Sequence, residues 1–98
     1  MADFILLMHA DSAVRDSASD WGPYLDGLQR AGVLRGGSAI GGGACMRKSG
    51  QAADLSHHLA GYVKVDARDL DHVRELVRGN PVYEAGGTVE IRELPVSG

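Results

Sequence analysis

Only a handful of side chains in this sequence combine reactive chemistry with a place that a fold would hold still. His9 closes the apolar run ADFILLMHA. An imidazole at a strand end, beside a cleft, can take or give a proton near neutrality, because its intrinsic pKa is about 6.5. The competing role is a half-exposed histidine hydrogen-bonded to a neighbour. Tyr24 shares the spacing of Trp21, Leu25 and Leu28, which makes it a packing residue first. Its hydroxyl then needs a partner or lines a pocket. With an ordinary pKa of about 10, it donates a hydrogen bond better than it accepts a proton. His9 and Tyr24 are therefore the candidate catalytic residues. His58, Asn80 and Asp54 are candidates for holding a ligand. Asn80 can orient a ligand or cap a helix end, and capping is the commoner use. Asp54 can accept a proton or pair with Arg47.

Other reactive groups carry less. His57 and His58 are adjacent, so in extended chain they point opposite ways and do not share one metal. No HxH or HExxH spacing occurs, and neither a metal nor a cofactor is expected. His72 falls off the apolar stripe of its helix and is expected to be exposed. Cys45 lacks a histidine or helix start that would lower its pKa, so it reads as inert. Lys64, Glu90 and Arg92 are expected to form cross-strand charge pairs at an interface.

GGSAIGGGACM, residues 36–46, looks like a phosphate loop but does not end in GK[ST]. It also runs into strand-like ACMRK rather than a helix, and a phosphate loop needs the helix N-terminus. These glycines are expected to supply positive φ angles and a bend or bulge in an edge strand.

The elements that must position these groups follow from periodicity. Residues 3–9 form a compact apolar run and read as a central strand. Trp21, Tyr24, Leu25, Leu28 and Ala31 mark a helix, capped by Ser19 or Asp20, with Pro23 in its first turn and Gly32 at its end. Val33 to Ile40 begins a second strand, continued by Ala44 to Lys48 beyond the triple glycine. Residues 59–67 and 88–94 alternate as strands. Between them DLDHVRELVRGNP is a helix with Leu70, Val73, Leu76 and Val77 as its buried stripe. Two strand–helix–strand units fold economically as an α+β, ferredoxin-like βαββαβ sandwich, an antiparallel sheet with two helices on one face.

The whole chain, 1–98, reads as one domain. Its hydrophobic content of 44% and charged content of 23% are those of an ordinary globular protein. A net charge of −3 argues against a nucleic-acid partner. FILLM is too short to cross a bilayer. One cysteine and no signal peptide lead us to expect a cytoplasmic protein. Strand parity places Leu59, Gly61, Val63 and Val65, with Val89 and Ile91, beneath the helices. The first strand is apolar on both faces: Phe4, Leu6 and Met8 on one, Ile5, Leu7 and His9 on the other. A face like that should not stand in water, and a second copy packed sheet to sheet about a two-fold axis is the expected cover.

In FILLMHAD, WGPYLDGLQRAGVLRGGSAI, LAGYVKVDARDLDHVRELV and NPVYEAGGTVEIREL the chain resembles the YCII-related proteins, in particular the branch carrying a DGPF motif. The resemblance implies a dimeric α+β barrel. It also implies a His on the first helix and an Asp near the end of the second as a polar pair in a cleft. Tyr24 and Asn80 stand at the positions that match those two residues. The DGPF motif itself is absent, and RKSGQAADLSHH fills the stretch between Met46 and Leu59. Two functions remain open. One is a homodimeric domain that binds a small molecule, with the family's His–Asp pair replaced. The other is a cofactor-free acid–base enzyme of isomerase or lyase type using His9 and Tyr24.

Overall fold

The computed structural model describes residues 2–12 and 18–96. The elements run β1 (Ala2–His9), α1 (Ala18–Arg30), β2 (Leu34–Ala39), β3 (Leu59–Ala67), α2 (Leu70–Val77), α3 (Pro81–Glu84) and β4 (Val89–Leu94). The sheet order is β2-β3-β1-β4, and each neighbouring pair is antiparallel. This is the ferredoxin-like α+β arrangement.

The register sorts the side chains. Leu6 lies between Val63 and Ile91, and Leu7 lies between Tyr62 and Glu90. Phe4, Leu6 and Met8 are buried, whereas Ile5, Leu7 and His9 are only half-buried. The first set joins Val63 and Val65 of β3, Tyr24 and Leu28 of α1, and Val73 and Val77 of α2 in one apolar cluster. Val89 and Ile91 pack against its edge. Leu6, Val65 and Val73 are fully buried, and burying each such side chain contributes about 1.5–3 kcal/mol. The molecule measures 46 × 40 × 18 Å. Its thin dimension is that of one helix layer on one sheet, which are spaced about 10 Å apart. The outer face of the sheet is left open.

Local signals explain most boundaries. Asp69 caps α2 by accepting the His72 N–H at 2.8 Å. Gly32 (φ 74°) and Gly79 (φ 89°) turn the chain out of α1 and α2. Arg35 is an extra residue on β2 opposite β3, next to Gly36 at φ 138°. That is the bulge expected of the first glycines.

Several expectations need correction. Ala44 to Lys48 is not a strand: 40–58 carries no helix or strand and is almost wholly exposed. Among the described residues it pairs with no strand, and an unpaired strand has no ladder to hold it. Ser19 and Asp20 lie inside α1, which begins at Ala18, and the residues just before that start are outside the described ones. Leu70 is 42% exposed, because it opens α2 before the helix settles on the core. His72 is half-buried instead of exposed, its Nδ1 accepting the Arg68 N–H at 3.1 Å. Asn80 does not close α2 but opens the short helix α3, an element the periodicity did not suggest. Glu90 pairs with Arg92 along its own strand at 3.2 Å, since residues two apart share a face. Its cross-strand partner is His9, and Lys64 belongs to neither pair.

The face assignment has a direct check. Leu6→Ala should cost about 2–5 kcal/mol in urea unfolding, as expected for a fully enclosed leucine. A loss below about 1 kcal/mol would place Leu6 outside the core.

Candidate functional site

A concavity lies on the helix-covered face of the sheet, above a glycine of β3. Gly61 holds an inward position of β3, between Ala39 of β2 and Met8 of β1. A Cβ there would lie 3.1 Å from the Ser38 carbonyl oxygen and 3.5 Å from the Met8 methyl group. A side chain there would press on that carbonyl, so the position stays bare, and the first half of α1 stands above it. The result is a cavity of about 520 Å³, within the usual range for small-molecule sites. Trp21, Gly22 and Leu25 of α1 roof it, Met8, Gly61 and Val63 form its floor, and Val82 of α3 closes one side. Ser38, Ala39 and Ala60, at the ends of β2 and β3, complete the lining. The walls are mainly apolar, and they include the chain's only tryptophan.

Tyr24 stands next to this roof. Its ring meets Trp21 edge to face, with centroids 5.8 Å apart. Its hydroxyl donates to the Leu76 carbonyl at 2.7 Å. Leu76 is in the last turn of α2, where carbonyls lack helical partners, so the phenol ties α1 to the end of α2. Burial pushes its pKa above the ordinary tyrosine value, and the nearby Asn80 amide opposes part of that rise. At neutral pH Tyr24 is a neutral hydrogen-bond donor. Asn80 is completely buried. Its Oδ1 accepts from Val82 N at 2.9 Å and Tyr83 N at 3.2 Å, capping α3. Its Nδ2 has no hydrogen-bond partner among the described residues. That amide is near enough to favour an ionised Tyr24, yet outside hydrogen-bond geometry.

A second polar group forms on the opposite face of the sheet. His9 Nε2 lies 2.9 Å from Glu90 Oε1, and the His9 ring meets His58 edge to face at 5.1 Å. Glu90 also accepts from Arg92, and these two neighbours, His9 first, hold its carboxyl below the usual glutamate range. Close by, Asp11 accepts from the Thr88 hydroxyl at 2.7 Å and the Thr88 N–H at 2.8 Å. Those bonds hold its carboxyl below the usual aspartate range. A carboxylate bonded to an imidazole fixes the orientation of the ring, as acid–base chemistry requires.

The five sequence candidates thus divide. His9 and His58 come together on the open face. Tyr24 and Asn80 come together beneath the helices, and Asp54 is exposed on the segment beyond β2. His9 and Tyr24 do not share a cleft, because successive residues of β1 face opposite sides and Tyr24 packs with the buried set. Among the described residues, no group of three or more His, Cys, Asp and Glu side chains is arranged to hold a metal ion. The cavity itself went unread in the sequence. Its signal was Gly61, a glycine at an inward-facing strand position, which marks close approach or an open space.

Three comparisons bear on this arrangement. The YCII-related domain matches residues 4–95. No sequence among the curated proteins matches the chain significantly. Among solved structures, the chain resembles 5-chloro-2-hydroxyhydroquinone dehydrochlorinase from Burkholderia phenoliruptrix AC1100, solved in complex with 2,5-dihydroxybenzoquinone. The TM-score is 0.57 at 14% identity, over 97% of this chain and 95% of that one. At that identity the likeness concerns the fold.

The Glu90 pair predicts a pH effect. A carboxyl held below its ordinary value of 4.5 adds stability above that value and loses it as pH falls through the lowered one. Glu90→Gln should therefore flatten the acid side of the melting temperature against pH curve below about 4.5. A variant curve parallel to the wild type throughout that range would remove the pair from the account.

Proposed function

The chain belongs to the YCII-related family, and we propose that it is a small-molecule-binding domain whose ligand is a flat, largely apolar ring seated between α1 and the sheet. The observation that carries this reading is the cavity of about 520 Å³ with Trp21 in its roof and Gly61 in its floor. An indole face stacks on planar rings, and a floor without a side chain leaves room for one. The dehydrochlorinase of like fold was solved with a small oxygenated ring, which supports the same ligand class here. Tyr24 and Asn80 stand where the family resemblance puts its polar pair. They supply a neutral donor and a buried amide in place of an acid–base couple, which favours binding over turnover.

A second reading has its own observation. The His9–Glu90 contact at 2.9 Å is a carboxylate-oriented imidazole. An acid–base reaction of isomerase or lyase type would run on that pair, on the open face. Tyr24 would take no direct part, since its hydroxyl is engaged with Leu76.

The open face bears on both readings. Ile5, Leu7 and Leu94 form its half-buried centre, with Tyr62, Lys64, Glu90 and Arg92 around them. A second copy of the chain, packed sheet to sheet, covers this surface in our reading and makes the protein a homodimer.

Titration with 2,5-dihydroxybenzoquinone tests the cavity, because Trp21 is the chain's sole tryptophan. Saturable quenching of its fluorescence is expected in the wild type and not in Ala39→Phe, which fills the space from the end of β2. If neither this compound nor a panel of substituted hydroquinones quenches Trp21 saturably, the cavity is not the site. Light scattering should give twice the chain mass for the wild type and a monomer for Leu7→Glu. A wild-type monomer at micromolar concentration would end the sheet-to-sheet assembly.

A further inference from the structure

Gly41, Gly42 and Gly43 pose a physical question that the present conformation does not answer. None of them has positive φ, and a Cβ built on any of them would meet no atom within 4 Å. Alanine would fit at all three positions. Glycine is the costliest residue to order, so three in a row serve a chain that changes conformation. The segment they begin is anchored at both ends, and the first anchor is at the cavity. Before it, the Ile40 N–H donates to the Ala60 carbonyl at 3.0 Å, and Ala39 and Ala60 are lining residues. After it, the His58 carbonyl accepts the Ala10 N–H at 2.7 Å. Between these anchors, no backbone–backbone hydrogen bond among the described residues involves 41–57. Moving the segment therefore breaks no ladder, the mark of a part with low local stability.

The segment also carries an apolar group with no place of its own. Met46 is 96% exposed. It follows the triple glycine closely, and the chain from Ile40 can span at most roughly 20 Å to it, enough to reach a cavity that begins at Ala39. A thioether on three rotatable bonds adapts to irregular space and contacts aromatic rings favourably. Arg47 and Lys48 come next in sequence.

We propose that residues 41–57 are a lid hinged at Gly41–Gly43, which closes over the occupied cavity and brings Met46 against the ligand, with Arg47 and Lys48 at the mouth. The lid rests on the cavity being the ligand site, and it narrows the ligand class. Two cations at the entrance select a ring bearing a negative charge, such as a phenolate or an acidic hydroxyquinone.

The sequence supplies the reporters for a test. Cys45 is the only cysteine and lies beside Met46, and Trp21 is the only tryptophan and lies in the cavity roof. A nitroxide on Cys45 broadens the Trp21 indole N–H resonance when the lid is closed. The shift of that resonance, read with a diamagnetic label, reports binding separately. With 2,5-dihydroxybenzoquinone as probe, the expected result is a shift together with broadening. Replacing Gly41–Gly43 by alanines should remove the broadening while leaving the shift. Met46→Ala should weaken binding about tenfold, the effect of losing a buried apolar side chain. A shift without broadening would leave the cavity as the site and overturn the lid. Neither shift nor broadening would overturn both. Broadening only when nitroxide-labelled chains are mixed with isotope-labelled ones would put the segment on a neighbouring copy, again overturning the lid.

Discussion

Hydrogen bonding β1 to a strand on each side leaves its side chains two directions and no third. Phe4, Leu6 and Met8 go under the helices, and Ile5, Leu7 and His9 go to the other face. Helix placement, core composition and the separation of the polar groups all follow from that division. A shift of one residue in the pairing would exchange the two sets and expose the core. Full burial of Leu6, Val63 and Val65 on the helix side makes such a shift costly.

The same division keeps two kinds of chemistry apart. On the helix side, Trp21, Gly61 and their neighbours enclose an apolar space, and Tyr24 and Asn80 spend their best hydrogen-bonding groups on helix ends. Tyr24 serves a carbonyl of α2, and Asn80 serves the first amides of α3. On the open side, His9, Glu90, Arg92 and His58 form a charged and aromatic group with little apolar enclosure. Binding energy from desolvation belongs to the first side, and proton transfer suits the second. A single site combining His9 with Tyr24 would have to cross the sheet.

The structure gives Tyr24 and Asn80 a structural job as well as a position near the cavity. A buried phenol whose pKa is raised by desolvation stays protonated, and a carboxamide carries no charge at all. The buried Asn80 Nδ2 remains the one donor in this region with unused capacity among the described residues.

Repeating patterns in the sequence determined the four strands, the two longer helices and the α+β class, because burial imposes a period of 2 or 3.6 wherever an element has one covered face. The turn at Gly32 was also legible, since a helix end is set within a few residues. Tertiary structure alone decided what depends on distant partners. His9 found Glu90 across 81 positions of chain, and Tyr24 found the end of α2. Gly61 became the floor of a cavity only once α1 lay above it, and ACMRK pairs with no strand among the described residues. Periodicity records whether a residue is covered; which atom covers it depends on how the elements meet in space.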